Sequence, residues 1–409
     1  MSLAIKSHGM DGSLVEPDWA PLALDELRPL LAQFLQLGEP THILSVSPRP
    51  FSAAGVVSTR DKHGAEQRVF IKRHHRAVRD REGLLEEHRF LAHVRAHVAL
   101  VPRVLASAAG ETAIEAGEWT YEVHEIPAGI DVYEEALSWT PFRSVAHAYS
   151  AGTVMALLHR AAQNFNAPRR KARPLVASFT IFADDDPAAA LKNYIAARPS
   201  LAANKAVCAS AQQALELLTP FHAELAPHLA ALAPLWTHND LHASNLFWSD
   251  AGPIGDKNAH ATAVIDFGLA DRTNAVHDIA QAIERNNVEW LALVSDPLRP
   301  DDVPIHLDHL DALLDGYESI RPLSSEELAA LAPMAALCHA EFALSEADYF
   351  LGVLHSEEKA RMAYDGWLVG HARWFSSAPG RQLLDALRRR AGREDLLRDA
   401  QHEKREDRR

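Results

Sequence analysis

Apolar residues recur along the first part of the chain with two different periods. Over residues 18–37, Leu22, Leu27, Leu30, Leu31, Phe34 and Leu35 fall at roughly helical spacing, which predicts a helix. The period then shortens to two. "THILSVSPRP" (41–50), "AAGVVSTRD" (53–61) and "EQRVFIKRH" (66–74) predict three short strands. "RPFSAAG" joins the first pair, and "DKHGA", a hairpin turn with Gly64, joins the second. Helical spacing returns over 80–98 and ends before Val101-Pro102. "WTYEVHEI" (119–126) predicts a further strand, and "PAGID" after it supplies a Pro and a Gly suited to a hinge.

From about residue 143 onward the pattern is mostly helical, as in "VAHAYSAGTVMALLHRAA" and "AVCASAQQALELLTPFHAEL". One island interrupts it. "NLFW" (245–248) and "TAVIDF" (262–267) flank a polar loop at 249–260, which predicts a hairpin with an enlarged tip. The last segment, 388–409, is charge-dense and reads as a frayed helix or tail. The fold class is therefore α+β. A small antiparallel-sheet lobe with an extra N-terminal helix occupies residues 1–126, and a larger, mainly helical lobe occupies 127–409.

Composition narrows the function classes. The chain has 409 residues, 47% apolar and 23% charged, ordinary values for a globular protein. A formal net charge of −14 argues against nucleic acid or an anionic membrane as the main partner and favours a neutral or cationic small molecule. Two distant cysteines, Cys208 and Cys338, make no disulfide framework or zinc ribbon. The N-terminus has no long apolar core, and no uncharged apolar run of about 18 residues spans a bilayer. These features lead us to expect a cytoplasmic location.

The candidate chemistry lies around the island, in "THNDLHASNLFW" (237–248) and "VIDFGLA" (264–270). Asp240 and Asn245 are five apart, a loop spacing that brings both side chains to one site as the chain enters a strand. Asp266 ends the partner strand beside Asn245. Two carboxylates and an amide oxygen then converge, and hard oxygen ligands of this kind suit Mg²⁺. The order H-x-D-x-x-x-x-N followed by D-F-G is that of kinase-type phosphoryl transfer. His238 and His242 are four apart, which on a helix could present two metal ligands. Asp240 and the strand-like "NLFW" place them in a loop instead, and the sequence places no third zinc ligand beside them.

A kinase reading demands a cation on the small lobe's sheet. Alternation along "RVFIKRHH" sends Val69 and Ile71 one way, and Phe70 and Lys72 the other, into the cleft. On the next helix Leu84, Glu87, Leu91, Val94 and Val98 form one face. A carboxylate on an apolar stripe is costly to bury unpaired, which makes Glu87 the expected partner of Lys72. The loop "PFSAAGVV" has small residues, Ser52 to Gly55, that let backbone N–H groups approach phosphates. It lacks the full G-x-G-x-x-G spacing, and no Walker A sequence occurs. Asp278 precedes an apolar helical run. It is either an N-terminal cap or a buried acceptor for backbone donors of the 238–240 loop.

"HNDLHASNLFW", "VIDFGLA" and "VHDIAQAIE", with "VFIKR" upstream, resemble the aminoglycoside phosphotransferase/choline kinase family, over roughly residues 40–380. The resemblance implies a two-lobed protein-kinase-like fold. It also implies transfer of the γ-phosphoryl group of ATP (or GTP), with Mg²⁺, to a hydroxyl of a small molecule such as an amino sugar or amino alcohol. Asp240 would orient and deprotonate that hydroxyl, Asn245 and Asp266 would hold Mg²⁺, and Lys72, positioned by Glu87, would contact the phosphates. His238 would be a structural member of the loop, and Asp278 would brace it. The linker "HEIPAGID" (124–131), with Glu125 and Ile126, would receive the adenine. Asn239 departs from the Gly of aminoglycoside kinases and the Arg of protein kinases; choline-kinase-like members often have Asn there.

For the acceptor, "AALCHAEFALSEADYFLGVL" (335–354) is the best candidate helix. Glu341 and Asp348, seven apart, flank an apolar stripe, where they would receive a cationic amino group or face water at a helix boundary. Arg272, His277, Glu284, Arg285, Tyr349 and Trp367 are further pocket candidates, and His242 is expected to be exposed near the phosphate path. Two alternatives remain beside this reading. One is a kinase acting on protein side chains, which the missing A-P-E sequence after D-F-G opposes. The other is a catalytically silent binding module, which the joint presence of Lys72, Asp240, Asn245 and Asp266 opposes.

Overall fold

The structure, a computed structural model, describes residues 17–47, 51–134, 136, 138–249, 259–290 and 303–406, with the backbone alone over 393–406. In chain order the first lobe comprises α1 (Leu24–Leu31), β1 (Glu39–Val46), β2 (Ala53–Arg60), β3 (Glu66–His75), α2 (Arg81–Arg95), β4 (Ile114–Ala116) and β5 (Trp119–Glu125). Then follow α3 (Val145–Ala161), α4 (Pro187–Ala196), α5 (Pro199–Ala203), α6 (Lys205–Leu225), β6 (Pro234–Thr237), β7 (Leu246–Trp248), β8 (Ala261–Val264), β9 (Asp271–Asn274) and α7 (Ala275–Asn287). The chain closes with α8 (Leu307–Glu318), α9 (Ser325–Leu337), α10 (His339–Gly352), α11 (Glu357–Arg361), α12 (Gly370–Phe375) and α13 (Ala378–Glu406).

The three expected strands and the fourth at 119–125, joined by the short β4, form one five-stranded antiparallel sheet of order β1-β2-β3-β5-β4. Alternation holds as expected on β3. Val69 and Ile71 are buried against Leu27, Leu30, Leu31 and Phe34, while Phe70 and Lys72 face the other side. The N-terminal helix is shorter than its apolar spacing predicts. Pro29 removes a backbone donor near its end, and beyond Leu31 three-residue turns (Phe34 N–H to Leu31 O, Leu37 N–H to Phe34 O) take over. That period buries Phe34 and Leu37 and leaves Leu35 81% exposed, against expectation.

α2 begins at Asp80, whose carboxylate accepts the Gly83 N–H at 2.8 Å, a side-chain cap. Its stripe of Phe90, Leu91 and Val94 joins the core of the large lobe, with Phe90 packed on Phe165, Trp236 and Phe267. The small lobe is thus fastened to the large one by a helix as well as by the linker.

The expected hairpin is β7–β8, and its tip lies outside the described residues over 250–258. A second pair, β6–β9, brackets it and had no clear signal, since "PLWT" and "DRTN" are only four residues each. The nested pairs fix two loops side by side: 238–245 between β6 and β7, and 265–270 between β8 and β9. One helical run, Ser325–Gly352, is long and apolar enough by composition to cross a bilayer, yet it lies buried inside the protein as α9 and α10. The C-terminal segment is helical to Glu406, anchored by Arg390 on Asp315 and Glu318 of α8.

The α3–α8 contact has no room for side chains at its crossing. A Cβ on Gly152 would collide with the Leu313 carbonyl, and one on Gly316 with the Tyr149 carbonyl. Gly152→Ala is therefore expected to destabilise the fold by about 1–3 kcal/mol, the usual cost of overpacking. Thermal unfolding should show a melting temperature several degrees lower; an unchanged value would contradict this crossing.

Candidate active site

The loop 238–245 owes its shape to a carboxylate that never touches solvent. Asp278 on α7 is fully buried and accepts the Asn239 N–H at 2.6 Å and the His238 N–H at 3.2 Å. His159 Nε2 lies 2.8 Å from the same carboxylate, and its Nδ1 lies 2.7 Å from the Tyr317 hydroxyl. Burial alone would push the Asp278 carboxyl up; His159 foremost reverses this and holds it below the usual range. Of the two readings of Asp278, the brace is the one realised. The helix is capped by Asn274, whose side chain accepts the His277 N–H at 2.9 Å.

Asn239 has a local reason to be asparagine. Its φ of 60° is left-handed, a region asparagine tolerates better than most residues. Its side-chain oxygen accepts from Thr237 and Thr273 hydroxyls at 2.8 and 3.0 Å, and its amide donates to Leu269 O at 3.1 Å. His238 Nε2 donates to Ile265 O at 3.0 Å, and its Nδ1 accepts the Asp240 N–H at 3.2 Å. The sequence reading missed Asn286, which accepts the Ala243 N–H and donates to Leu241 O, both at 2.9 Å.

Within this frame Asp240 projects into the cleft. Its Oδ1 accepts from Arg285 Nε at 2.8 Å, and the guanidinium lies 4.4 Å above the Phe342 ring. Burial raises the Asp240 carboxyl above its ordinary value, with Arg285 pulling the other way. Asn245 donates to Asp240 O at 2.9 Å, which ties the two ends of the loop. Ile265 N–H bonds to Asn245 O at 3.0 Å, so Asp266 follows directly beside Asn245, as expected. Asp266 has a φ of 59°, an uncommon conformation for a non-glycine residue. The donor set of Asn245 and Asp266, an amide oxygen and a carboxylate, fits a hard cation such as Mg²⁺.

Lys72 departs from the expected pairing. Its Nζ lies 2.8 Å from Asp266 Oδ1, while Glu87 is buried with Arg170 Nη2 at 4.0 Å as its ion partner. Glu87 faces inward as its stripe position required, but α2 carries it toward Arg170, and the left-handed turn at Asp266 sends that carboxylate to Lys72. Burial lowers the proton affinity of Lys72; Asp266, then Glu122 and Glu87, more than offset this and leave it raised. The same ion pair, against burial, holds Asp266 well below the usual carboxylate range. Two buried arginines without a motif signal complete the arrangement. Arg79 Nη2 donates to Gly268 O at 2.6 Å, and Arg170 Nη1 donates to the same oxygen at 2.9 Å. Burial, with Arg170 beside it, brings Arg79 down to about 9.

Other expected nucleotide contacts shift. Gly55 lies inside β2 rather than in the loop, opposite Val46 and Ile71, and a Cβ there would collide with the Ser45 carbonyl. Its smallness thus serves the β1–β2 approach. Ser52 is buried beside Phe51, whose ring packs edge-on against Tyr349 at 5.3 Å. Glu125 donates its N–H to Arg103 O at 2.9 Å, and its carboxylate pairs with the Arg103 side chain at 2.5 Å. Ile126 is exposed at the linker.

Most expected acceptor residues are committed to the fold. Glu341 is buried and accepts the backbone N–H groups of Ser178, Thr180 and Ile181. Asp348 accepts the Ser200 hydroxyl and lies 3.8 Å from Arg198 Nε. His277 is buried against Asn239 and the Phe179 ring, and Arg272 stands opposite Trp236 in the β6–β9 pair. Glu284 is buried with His371 Nδ1 at 2.8 Å and Arg285 Nη1 at 3.3 Å, which links it to Asp240 through Arg285. Tyr349 donates its hydroxyl to Asp18 Oδ2 at 2.9 Å, and Trp367 packs on Trp139. His242 is buried rather than exposed, with Ser244 Oγ at 2.9 Å and Asp240 Oδ2 at 3.8 Å. The missed residue is Glu346, which shares the face of α10 that carries Phe342 and Tyr349. It is 1% exposed, its Oε2 has no hydrogen-bond partner among the described residues, and burial pushes its carboxyl well above the usual range, with Arg285 and Asp240 among the charges acting on it.

The family model described as "Phosphotransferase enzyme family" matches residues 56–323. Among curated proteins none matches the sequence. Among solved structures, an amicoumacin kinase in complex with AMP-PNP, Ca²⁺ and Ami is 14% identical, with 83% of this chain and 92% of that chain covered at a TM-score of 0.50. An aminoglycoside phosphotransferase from Alicyclobacillus acidocaldarius subsp. acidocaldarius DSM 446 is 14% identical, with 92% and 98% covered at a TM-score of 0.48. A macrolide 2'-phosphotransferase from Brachybacterium faecium is 17% identical, with 84% and 98% covered at a TM-score of 0.47. The likeness to the first of these shows the two-lobed kinase-like fold.

Two consequences of this geometry are measurable. Asp278→Ala should leave the His238 and Asn239 N–H groups without their acceptor and cost about 3 kcal/mol or more, as losing one partner of a buried charged network does. Denaturant unfolding would reveal it. The second concerns pH. Burial lowers His277 and His339 to about 4 in the fold, against about 6.5 in an unfolded chain. The folded value is the lower one, so the unfolded chain binds more protons between the two. The stability concerned is fully present above about pH 6.5 and is lost as pH falls toward 4, by up to about 1.4 kcal/mol per pH unit for each histidine. Denaturation curves from about pH 7 to about pH 5 that coincide would contradict this.

Proposed function

The chain belongs to the phosphotransferase enzyme family, and from that premise we propose that it moves the γ-phosphoryl group of ATP to a hydroxyl of an amine-bearing small molecule, with Mg²⁺. The observation that carries the reading is the 2.8 Å contact between Lys72 and Asp266, 194 residues apart, beside the loop that presents Asp240. It joins the phosphate-binding cation of one lobe to the metal-binding carboxylate of the other.

The roles follow from charge and reach. Asn245 and Asp266 would hold Mg²⁺, which when bound neutralises the phosphate oxygens from which and to which charge moves. Lys72 balances the same phosphates, and Arg79 and Arg170 keep the Asp266-Phe267-Gly268 turn in place through Gly268 O. The linker at Glu125 and Ile126 offers backbone groups to the adenine. Asp240 takes the hydroxyl proton of the acceptor late in a loose transition state. Arg285 orients that carboxylate, and Glu346 beside it provides a buried oxygen for an ammonium group, whose arrival would restore the charge that burial suppresses. The two thiols, Cys208 and Cys338, are unpaired, in keeping with a reducing compartment, and we place the protein in the cytosol.

A coupled assay of ADP release across amino sugars, amino alcohols, hydroxy amino acids and sugars would identify the acceptor. With that acceptor, Asp240→Ala should lower kcat by about 10²–10⁴-fold, the range of one general base, while ATP affinity is retained. Normal turnover by this variant would remove Asp240 from its role. Asp266→Ala should abolish the Mg²⁺-dependent rise in melting temperature that ATP causes in the wild type. Glu346→Gln should raise KM for amine-bearing acceptors and leave KM for ATP unchanged; equal KM values for the amine would refute the ammonium site.

A further inference from the structure

Behind Lys72 the small lobe holds a cluster that phosphoryl transfer does not use. Glu122 on β5 stands opposite Lys72 in the sheet and is 1% exposed. Three imidazoles from three elements turn the same nitrogen toward its carboxylate. His74 Nε2 of β3 lies 2.9 Å from one oxygen, and His88 Nε2 of α2 and His124 Nε2 of β5 each lie 2.8 Å from the other. The ligating atoms of His88, Glu122 and His124 all lie within 4.8 Å of one another.

Imidazole nitrogens with one carboxylate oxygen make up the donor set of a zinc-type ion. Ligands about 2.0–2.2 Å from a tetrahedral zinc are roughly 3.4 Å apart, so an ion entering between them needs His88 Nε2 and His124 Nε2 to draw back by only about 0.6 Å from the Glu122 oxygen they approach at 2.8 Å. The surroundings have the form that supports a ligating histidine. His88 Nδ1 lies 2.9 Å from Thr112 Oγ1, a hydroxyl that can accept the Nδ1 proton when Nε2 gives up its own to bind an ion. A groove lined by Leu85, His88, Ala92, Pro102, Val104 and Thr112 reaches the cluster from the surface, and His124 is itself partly exposed. We propose that His88, Glu122 and His124, with His74 in reach as a fourth ligand, bind a divalent transition-metal ion such as Zn²⁺, at a site distinct from the Asn245–Asp266 pair. The ion ties α2, which carries Glu87, to the strands that carry Lys72, and so stiffens the wall of the nucleotide cleft.

The test uses full-length protein without a histidine tag, freed of metal with EDTA and titrated with Zn²⁺. Equilibrium dialysis with elemental analysis should find one ion per chain, and the melting temperature should rise by several degrees at saturation. Co²⁺ in its place should give the intense visible absorption of a four-coordinate site. His124→Gln, at the partly exposed ligand, should lose ion, temperature shift and colour together, whereas His309→Gln should keep all three. His309 belongs to the other histidine-rich group among the described residues, His306, Asp308 and His309. No retained zinc and no cobalt absorption in the folded wild type would overturn the proposal without any variant. Equal binding by wild type and His124→Gln, with loss in His309→Gln, would overturn it by moving the ion to that second group.

Discussion

The buried carboxylate of Asp278 is the contact on which the site depends. It holds a negative charge with no solvent around it, a costly state, and three donors offset that cost. Two of the donors are backbone groups of the loop that presents Asp240, so the shape of that loop is set by charge solvation. The third, His159, comes from α3 and is held by Tyr317 of α8. Those helices meet where Gly152 and Gly316 let their backbones touch. A close helix crossing thus reaches the Asp240 loop through two side chains and one carboxylate. Packing and chemistry are not separable here.

A second set of charges organises the cleft. Lys72, Asp266, Glu87, Arg79 and Arg170 lie near one another, and each acid faces a base. The arginines bond to the carbonyl of Gly268 rather than to a carboxylate alone. They act as clamps on a turn whose first residue is in a strained backbone region. That turn carries the carboxylate assigned to the metal, so its strain is held where a fixed ligand position is needed.

The helix α10 shows how one sequence segment divides its labour. Glu341 and Asp348 fall on one face and were the natural acceptor residues by spacing. Both are spent on fastening the segment 178–181 and the start of α5. Glu346, on the face shared with Phe342, keeps an Oε2 without a hydrogen-bond partner among the described residues, with Arg285 and Asp240 among the charges acting on it. Three acidic residues on one helix look alike until their neighbours are known, because the helical period tells which residues share a face and not what covers that face.

Much of the molecule was legible in the sequence by itself. Period-two stretches bounded by turn residues marked the sheet, and alternation put Lys72 on its cleft face. The order of Asp240, Asn245 and Asp266 around a hairpin marked the two loops of the candidate site, because their placement depends on local spacing within a few residues of a strand. The partners of these residues follow from the packing of distant segments instead. Lys72 meets Asp266 rather than Glu87, His242 is buried, Gly55 serves strand packing, Arg285, a pocket candidate by sequence, bonds to Asp240, and Glu346 and Asn286 join the site. Each of these is set by contacts between segments distant in the chain, whose positions follow from how whole helices and sheets pack, and hydrophobic period carries no record of that.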